Sequence, residues 1–292
     1  MTGAVSRLAV YGSKRQQPYL AYIEQFVAEA RARGIVLEMH AKLYDYLLDL
    51  APELTDGSRR VPFGEMPRAD AGVSLGGDGT FLRTAQWLGP QRIPLVGVNT
   101  GHLGFLSALA VEELPELPAM LAGGAFTVER RCVLQVDGPQ LPPAVGRYAL
   151  NEVALQKEES ASMISADVDI DGVPLARYRA DGLIIATSTG STAYNLSVGG
   201  PIVQPTVPVW VLSPVAAHSL SMRPLVVGAD SCLRVVAGGR ASHFRLALDG
   251  RSVLLESGTE LFLRRADFDI AVMRRTDRTF ADTLRRKLHW AD

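Results

Sequence analysis

Val73-Ser74-Leu75 runs without a spacer into Gly76-Gly77-Asp78-Gly79-Thr80, and an apolar helical pattern follows at once from Thr80 to Leu88. A strand that turns on glycines directly into a helix is one half of a β-α-β unit. Chains of such units make parallel sheets with helices on their faces. The neighbouring sequence keeps the same rhythm. Val5 to Tyr11, Ile35 to Met39 and Ile93 to Val98 read as strands, while Pro18 to Arg33, Leu43 to Leu50 and Val111 to Leu121 read as helices.

After Gly123-Gly124 the pattern changes to short alternating runs: Val133 to Val136, Ala166 to Ile170, Leu183 to Ala186, Val209 to Leu212 and Leu233 to Val236. Asp137-Gly138, Asp171-Gly172, Asp249-Gly250 and Ser257-Gly258 supply turns. The expected architecture is an α/β N-terminal domain with a parallel sheet, residues 1–124, followed by a mostly β C-terminal domain, residues 125–292. Phe280, Leu284 and Leu288, spaced by four, predict a last amphipathic helix that packs back on the first domain.

The charges narrow the partners. With 31 acidic and 30 basic residues, the overall field gives no argument for nucleic acid or an anionic membrane as a partner, and neither is expected; any charged ligand must be held locally. Arg274, Arg275, Arg278, Arg285, Arg286 and Lys287 cluster near the C-terminus and are read as a solvated face rather than a phosphate site. No run approaches the roughly 20 apolar residues of a membrane span. The N-terminus does not read as a signal peptide, and a cytoplasmic protein is expected. Cys132 and Cys232, outside any C-x-x-C or Cys/His cluster, indicate neither a disulfide framework nor zinc.

Ligands of open parallel sheets bind at the carboxyl ends of strands. Glycines there let backbone N–H groups approach an anion, and the following helix adds its unpaired N-terminal donors. Gly76, Gly77, Gly79 and Thr80 thus form a candidate phosphate cradle. It lacks the Lys of a P-loop and the spacing of the dinucleotide fingerprint. It carries Asp78 instead. A carboxylate among phosphate-binding amides is repelled by the ligand it helps to hold, so chemistry must account for it. It either holds Mg²⁺ or accepts a proton from a hydroxyl nucleophile, and we favour the second role. Arg83, one helical turn beyond Gly79, is a candidate phosphate contact.

A second unusual stretch begins at Arg179-Ala180-Asp181. It crosses a strand of buried type into Thr187-Ser188-Thr189-Gly190-Ser191-Thr192-Ala193-Tyr194-Asn195-Leu196-Ser197 and closes on Gly199-Gly200-Pro201. Small hydroxyls this dense at a helix start point to a surface that bonds sugar hydroxyls and phosphate oxygens. Asn151-Glu152, at the opening of a strand, pairs an amide with a carboxylate able to clasp vicinal ribose hydroxyls. Asn99-Thr100-Gly101-His102-Leu103-Gly104-Phe105 follows another strand and lies at the same sheet edge as the glycine loop. Its Phe105 is suited to stacking on a base or to anchoring a core. His102 and His218 have neither triad nor metal-ligand neighbours and read as loop or packing histidines.

Together these segments resemble the NAD kinase family. The glycine loop alone is shared with diacylglycerol kinases, sphingosine kinases and phosphofructokinases. The stretch from Asp181 to Pro201 is specific, as are Gly101-His102-Leu103-Gly104-Phe105, Asn151-Glu152, Ser213-Pro214, His218-Ser219-Leu220, Arg223-Pro224 and the terminal Lys287-Leu288-His289-Trp290. The resemblance implies that Asp78 accepts the proton of the 2′-hydroxyl of NAD's adenosine ribose and that Gly79 contacts the same nucleoside. It implies that Asn151 and Glu152 hold ribose hydroxyls, that Asp181 and the run Thr192, Ala193, Tyr194, Asn195 and Ser197 line the dinucleotide site, that Arg179 lies near phosphate and that Phe105 faces adenine. Thr189 belongs to the same candidate surface.

The resemblance also implies NAD bound between the two domains of a homodimer or homotetramer, ATP or polyphosphate as donor, and Mg²⁺ or Mn²⁺ carried mainly by the nucleotide and water. Ser162 departs from the family pattern, where relatives often carry a basic residue or His just before Met163. Two other functions fit the loop less well. A lipid kinase has no use for the hydroxyl-rich segment, and a non-catalytic dinucleotide sensor has no use for Asp78.

Overall fold

The computed structural model describes residues 5–101, 104–158 and 163–290; His102 and Ser162 lie outside the described residues. The chain forms two compact units. One runs to Arg130 and resumes at Ile270, and the other is Arg131–Asp269.

The first unit contains β1 (Arg7–Gly12), α1 (Leu20–Ala32), β2 (Val36–His40), α2 (Ala41–Leu50), β3 (Arg59–Val61), β4 (Ala71–Leu75), α3 (Asp78–Leu88), β5 (Leu95–Asn99), β6 (Leu109–Ala110) and α4 (Leu117–Ala122). Its strands lie in the order β3-β2-β1-β4-β5, all parallel. Leu8, Val10, Phe26, Leu37, Val73 and Val96 are among the residues that fill its core. The strand order reverses between β1 and β4, where Gly12 stands opposite Leu75. At such a switch point the loops leaving neighbouring strands diverge and open a crevice at their carboxyl ends. The glycine loop leaves β4 at that point.

Two features differ from expectation. The helix expected over Val111 to Leu121 is a 3₁₀ segment, Val111–Glu116, followed by α4, because Pro115 has no N–H to give an α-helical hydrogen bond. The short β3 was not anticipated. It is held by a fully buried carboxylate, Glu38, which accepts from Arg59 Nη1 at 3.1 Å, Arg7 Nη1 at 2.9 Å and the Arg68 N–H at 2.8 Å.

The second unit is antiparallel, matching the expected all-β half. Strand β7 (Phe126–Asp137) leads into it, followed by β8 (Tyr148–Ala149), β9 (Glu152–Lys157), β10 (Ile164–Ile170), β11 (Val173–Ala180) and β12 (Gly182–Thr187). The one-turn α5 (Tyr194–Ser197) comes next, then β13 (Val209–Val215), β14 (Leu225–Gly228), β15 (Leu233–Gly239), β16 (His243–Leu248), β17 (Arg251–Glu256) and β18 (Thr259–Arg275). One sheet has the order β14-β13-β12-β9-β16-β17, and β11, β10, β15 and β18 pair in the other. Leu134, Ile164, Leu183, Trp210 and Leu246 belong to the core they share. Asp171 and Asp249 (φ 51° and 46°), each followed by a glycine at φ 81° or 80°, make the left-handed two-residue turns read from Asp-Gly.

The long β18 was not foreseen as a strand. Its end carries the chain back into the first unit, where Val272 pairs in parallel with Leu95 of β5. Helix α6 (Phe280–Leu288) follows, with Leu284 buried and Thr279 capping its start through the Asp282 N–H at 3.2 Å. Among the described residues no helix is long and apolar enough to cross a membrane.

Candidate active site

Asp78 is the first residue of α3, and Gly77 precedes it as N-cap with an extended backbone. Its carboxylate is held from outside the helix: Oδ2 accepts the Phe105 N–H at 2.8 Å and Oδ1 the Leu106 N–H at 3.1 Å. Two amide donors fix the plane of the carboxylate and leave its remaining lone pairs for another partner. Gly104 makes this possible. A Cβ there would stand 1.8 Å from Asp78 Oδ1. Arg274 Nη1 donates to the Phe105 carbonyl at 3.3 Å, and Lys287 Nζ lies 5.6 Å from the centre of the Phe105 ring.

The glycines of the loop differ in their reason for being glycine. A Cβ on Gly76 would strike Thr80 Oγ1 at 2.4 Å, so Thr80 packs over the turn. Gly77 and Gly79 are exposed and have nothing within 4 Å of where a Cβ would be. No packing inside the chain requires glycine at those two positions, and their backbone lies open to approach from outside. Arg83 is exposed on α3, and its charge acts on the hydroxyl of Tyr11 at the end of β1, whose pKa burial pushes up.

In the second unit the structure gathers Asn151, Glu152, Thr189 and Tyr194. The β16–β17 turn organises the start of β9: Asp249 accepts the N–H groups of Leu150 at 2.7 Å, Asn151 at 2.9 Å and Glu152 at 3.1 Å. Burial raises the pKa of Asp249 against those three donors. Burial, reinforced by the charge of Asp249, pushes the Glu152 carboxyl up to about 8, with the Tyr194 N–H pulling the other way. Asn151 Oδ1 and Glu152 Oε2 are buried without a hydrogen-bond partner. Side by side, an orphan amide oxygen and a carboxyl that keeps its proton near neutrality can accept from and donate to paired hydroxyls.

The hydroxyl-rich segment corrects the expectation made of it. Thr187, Ser188 and Ser191 are fully buried and donate to the carbonyls of Leu150 (2.6 Å), Val207 and Val203 (3.2 Å). Thr189, also buried, accepts from Arg131 Nη1 at 3.4 Å, and Thr192 Oγ1 turns back to the Thr189 carbonyl at 3.4 Å. These hydroxyls build the turn more than they face a ligand.

Asn195, expected to contact the dinucleotide, is fully buried. Its Nδ2 donates to the carbonyls of Ser191 (2.9 Å) and Pro201 (3.1 Å), and its Oδ1 accepts from Ser213 Oγ at 2.7 Å. It locks the loop from inside. Ala193 and Tyr194 are half-buried and Ser197 exposed; the Tyr194 hydroxyl accepts from Gln156 Nε2 at 3.1 Å. Gly190 lies so close to Asn151 that a Cβ would meet its carbonyl oxygen at 2.0 Å, which ties the segment to the start of β9.

Arg179 and Asp181 flank the end of β12 away from Thr187, about 20 Å along the strand at ordinary strand rise, and Tyr194 reaches toward that end through Gln156, which stands opposite Gly182. Asp181 pairs with Lys157 at 2.9 Å and lies 3.9 Å from His218 Nε2. Arg179 lines an open cavity of about 630 Å³ with Arg177, Arg240 and Asp167. Sequence reasoning missed Gly104, Arg274 and Asp249. Gly104 was visible only as part of the Gly101–Phe105 segment, Asp249 only in a turn signal, and Arg274 only as charge.

Two family models cover the chain, the ATP-NAD kinase N-terminal domain over residues 37–124 and the ATP-NAD kinase C-terminal domain over residues 150–272. An NAD kinase of Porphyromonas gingivalis is 40% identical over 291 residues, 98% of each chain. The chain belongs to the NAD kinase family. Another member, from Bacteroides fragilis, is 46% identical over 222 residues, 76% of this chain and 77% of its own. An Archaeoglobus fulgidus NAD kinase solved in complex with ATP matches at TM-score 0.70 and 26% identity, over 92% of this chain and 94% of that one. The yeast NADH kinase complexed with NADH has the same fold at TM-score 0.86 and 24% identity, over 100% and 89% of the two chains. NAD kinases are phosphotransferases, and the α/β and all-β halves found here are the two domains of that family.

Proposed function

We propose that this protein phosphorylates the 2′-hydroxyl of the adenosine ribose of NAD to give NADP, with Asp78 as proton acceptor. The observation that carries the reading is the Asp78 carboxylate, fixed by two amide donors at the head of a helix whose flanking glycines stand open to a ligand. Phosphoryl transfer runs through a loose transition state, so alignment and charge neutralisation do most of the work. Asp78 orients the hydroxyl in line with the phosphoryl group and takes its proton late. Gly77 and Gly79 offer backbone donors to phosphate oxygens, whereas the N–H groups of Gly76 and Thr80, expected in the same cradle, are taken by the carbonyls of Val98 and Gly77 at 3.0 and 2.9 Å; Arg83 adds a positive charge.

Asn151 and Glu152 hold the ribose hydroxyls, which selects the 2′ position: a substrate lacking a bonded hydroxyl leaves buried polar groups unpaired. Phe105 faces adenine. Thr192, Ala193, Tyr194 and Ser197, on a loop that Asn195 braces from inside, contribute with Arg179 and Asp181 to the dinucleotide site in a cytoplasmic homo-oligomer, and ATP or polyphosphate is the donor. A divalent metal, Mg²⁺ or Mn²⁺, supplies charge neutralisation on the donor phosphates. The metal would be held mainly by the nucleotide and water; among the described residues no three His, Cys, Asp or Glu side chains stand together.

Incubation of the protein with NAD, ATP and Mg²⁺, assayed for NADP, tests the reading. Absence of NADP with ATP and with polyphosphate overturns it.

A further inference from the structure

The C-terminal arginines, expected to form a solvated face, partly turn inward. Within the first unit Arg274, Arg278 and Arg286 meet Gly104 and Ser107 around a small cavity of about 30 Å³. Arg274 is only 8% exposed, yet its hydrogen bonds go to neutral acceptors: the Phe105 carbonyl at 3.3 Å and Thr283 Oγ1 at 3.1 Å. Among the described residues no carboxylate lies within ion-pairing distance of it. Burial pulls its pKa down, and the attraction of Glu129 and Asp78 is exerted from farther away. Ser107, also 8% exposed, lines the same cavity with a hydroxyl that has no partner.

A buried guanidinium without a carboxylate and a buried hydroxyl without a partner are both costly, and one external anion relieves both. The other groups agree. Arg278 shares Glu113 with Arg275, and exposed Arg286 stands at the rim. The one acid lining the cavity, Asp282, already accepts from Thr279 and Arg285. Guanidinium forks and a hydroxyl suit the oxygens of a phosphate group. Room for one or two oxygen-sized atoms admits the corner of such a group and excludes a base or a sugar.

We infer that this cavity is a phosphate-binding site distinct from the glycine loop, joined to Asp78 through Arg274 and the backbone of Phe105. Arg274 grips the Phe105 carbonyl while the Phe105 N–H grips Asp78, so an anion on Arg274 steadies the segment that aims the carboxylate. The phosphate comes either from the far end of a chain-like phosphoryl donor or from free inorganic phosphate. The donor alternative rests on the function proposed above; the binding itself does not.

Calorimetric titration of the full chain with inorganic phosphate and with tripolyphosphate, repeated on Arg286→Gln and Ser107→Ala, tests the site. Loss of one charged hydrogen bond in Arg286→Gln weakens phosphate binding about tenfold, and Ser107→Ala weakens it less. Binding that is not saturable, or that is equal in all three proteins because the glycine loop alone holds the anion, overturns the inference. Initial rates then separate the sources. A raised donor KM with unchanged kcat in Arg286→Gln assigns the site to the donor's outer phosphate. An unchanged donor KM, with free phosphate altering kcat only in the unmodified protein, assigns it to inorganic phosphate. A protein that makes no NADP but still loses phosphate affinity in Arg286→Gln refutes the proposed reaction and leaves the site standing.

Discussion

The Asp78 carboxylate fills the space beside Gly104 that any side chain there would need, since a Cβ would lie 1.8 Å from Asp78 Oδ1. The two residues therefore form one functional unit, although only Asp78 carries chemistry. Gly104→Ala is expected to push the carboxylate off the N–H groups of Phe105 and Leu106. It should lower kcat about 100-fold, the low end for a misplaced general base, while far-ultraviolet circular dichroism stays unchanged. Turnover within a few-fold of normal would show that the carboxylate's aim does not matter.

Asp78→Asn keeps the shape but only one of the two amide contacts, since an amide nitrogen cannot accept an N–H, and it removes the proton acceptor. A kcat loss of about 10² to 10⁴ is expected, with the Kd for NAD changed little. An unchanged kcat would falsify the proton-acceptor role.

Glu152 predicts a pH dependence. Its carboxyl is raised from 4.5 to about 8, chiefly by burial, so the folded chain holds a proton that the unfolded chain has lost across that range. Its contribution to stability is complete below the unfolded value and declines as pH rises through about 8. Tm should therefore fall toward alkaline pH, and Glu152→Gln, which cannot ionise, should flatten that fall. If protonated Glu152 donates to a ribose hydroxyl, KM for NAD rises above pH 8 in the unmodified protein and not in the variant. Parallel Tm profiles for the two proteins would exclude a raised pKa.

Asn195 is a structural residue in this arrangement, with three hydrogen bonds inside the chain and no exposure. Asn195→Ala strands the Ser191 and Pro201 carbonyls and the Ser213 hydroxyl, at a cost of about 2–3 kcal/mol. Denaturant titration should show the loss. A variant of normal stability that had lost only NAD affinity would return Asn195 to the ligand.

Much of the fold was legible because its signals are local. Strand period, helix period and Gly placement act within about ten residues, and they delimited Ala71 to Leu75, the glycine loop and the alternating β half. The misreadings have one local cause and one tertiary cause. Pro115 broke a helix whose apolar spacing looked continuous. The buried hydroxyls of Thr187, Ser188 and Ser191 could not be told from exposed ones by composition, since small hydroxyls serve turns and ligands equally.

The sequence by itself determined that a strand, a glycine turn and an acid-headed helix stand at a sheet edge, and that a second, hydroxyl-rich segment exists. Which groups are aimed, buried or left without a partner was decided by contacts distant in the chain. Phe105 meets Asp78 across 27 positions, Asp249 meets Asn151 across 98, and Arg274 meets Phe105 across 169. Burial and the number of satisfied hydrogen bonds are properties of those encounters. They made Asn195 a brace, kept the Glu152 carboxyl protonated near neutrality and turned a charged tail toward the site.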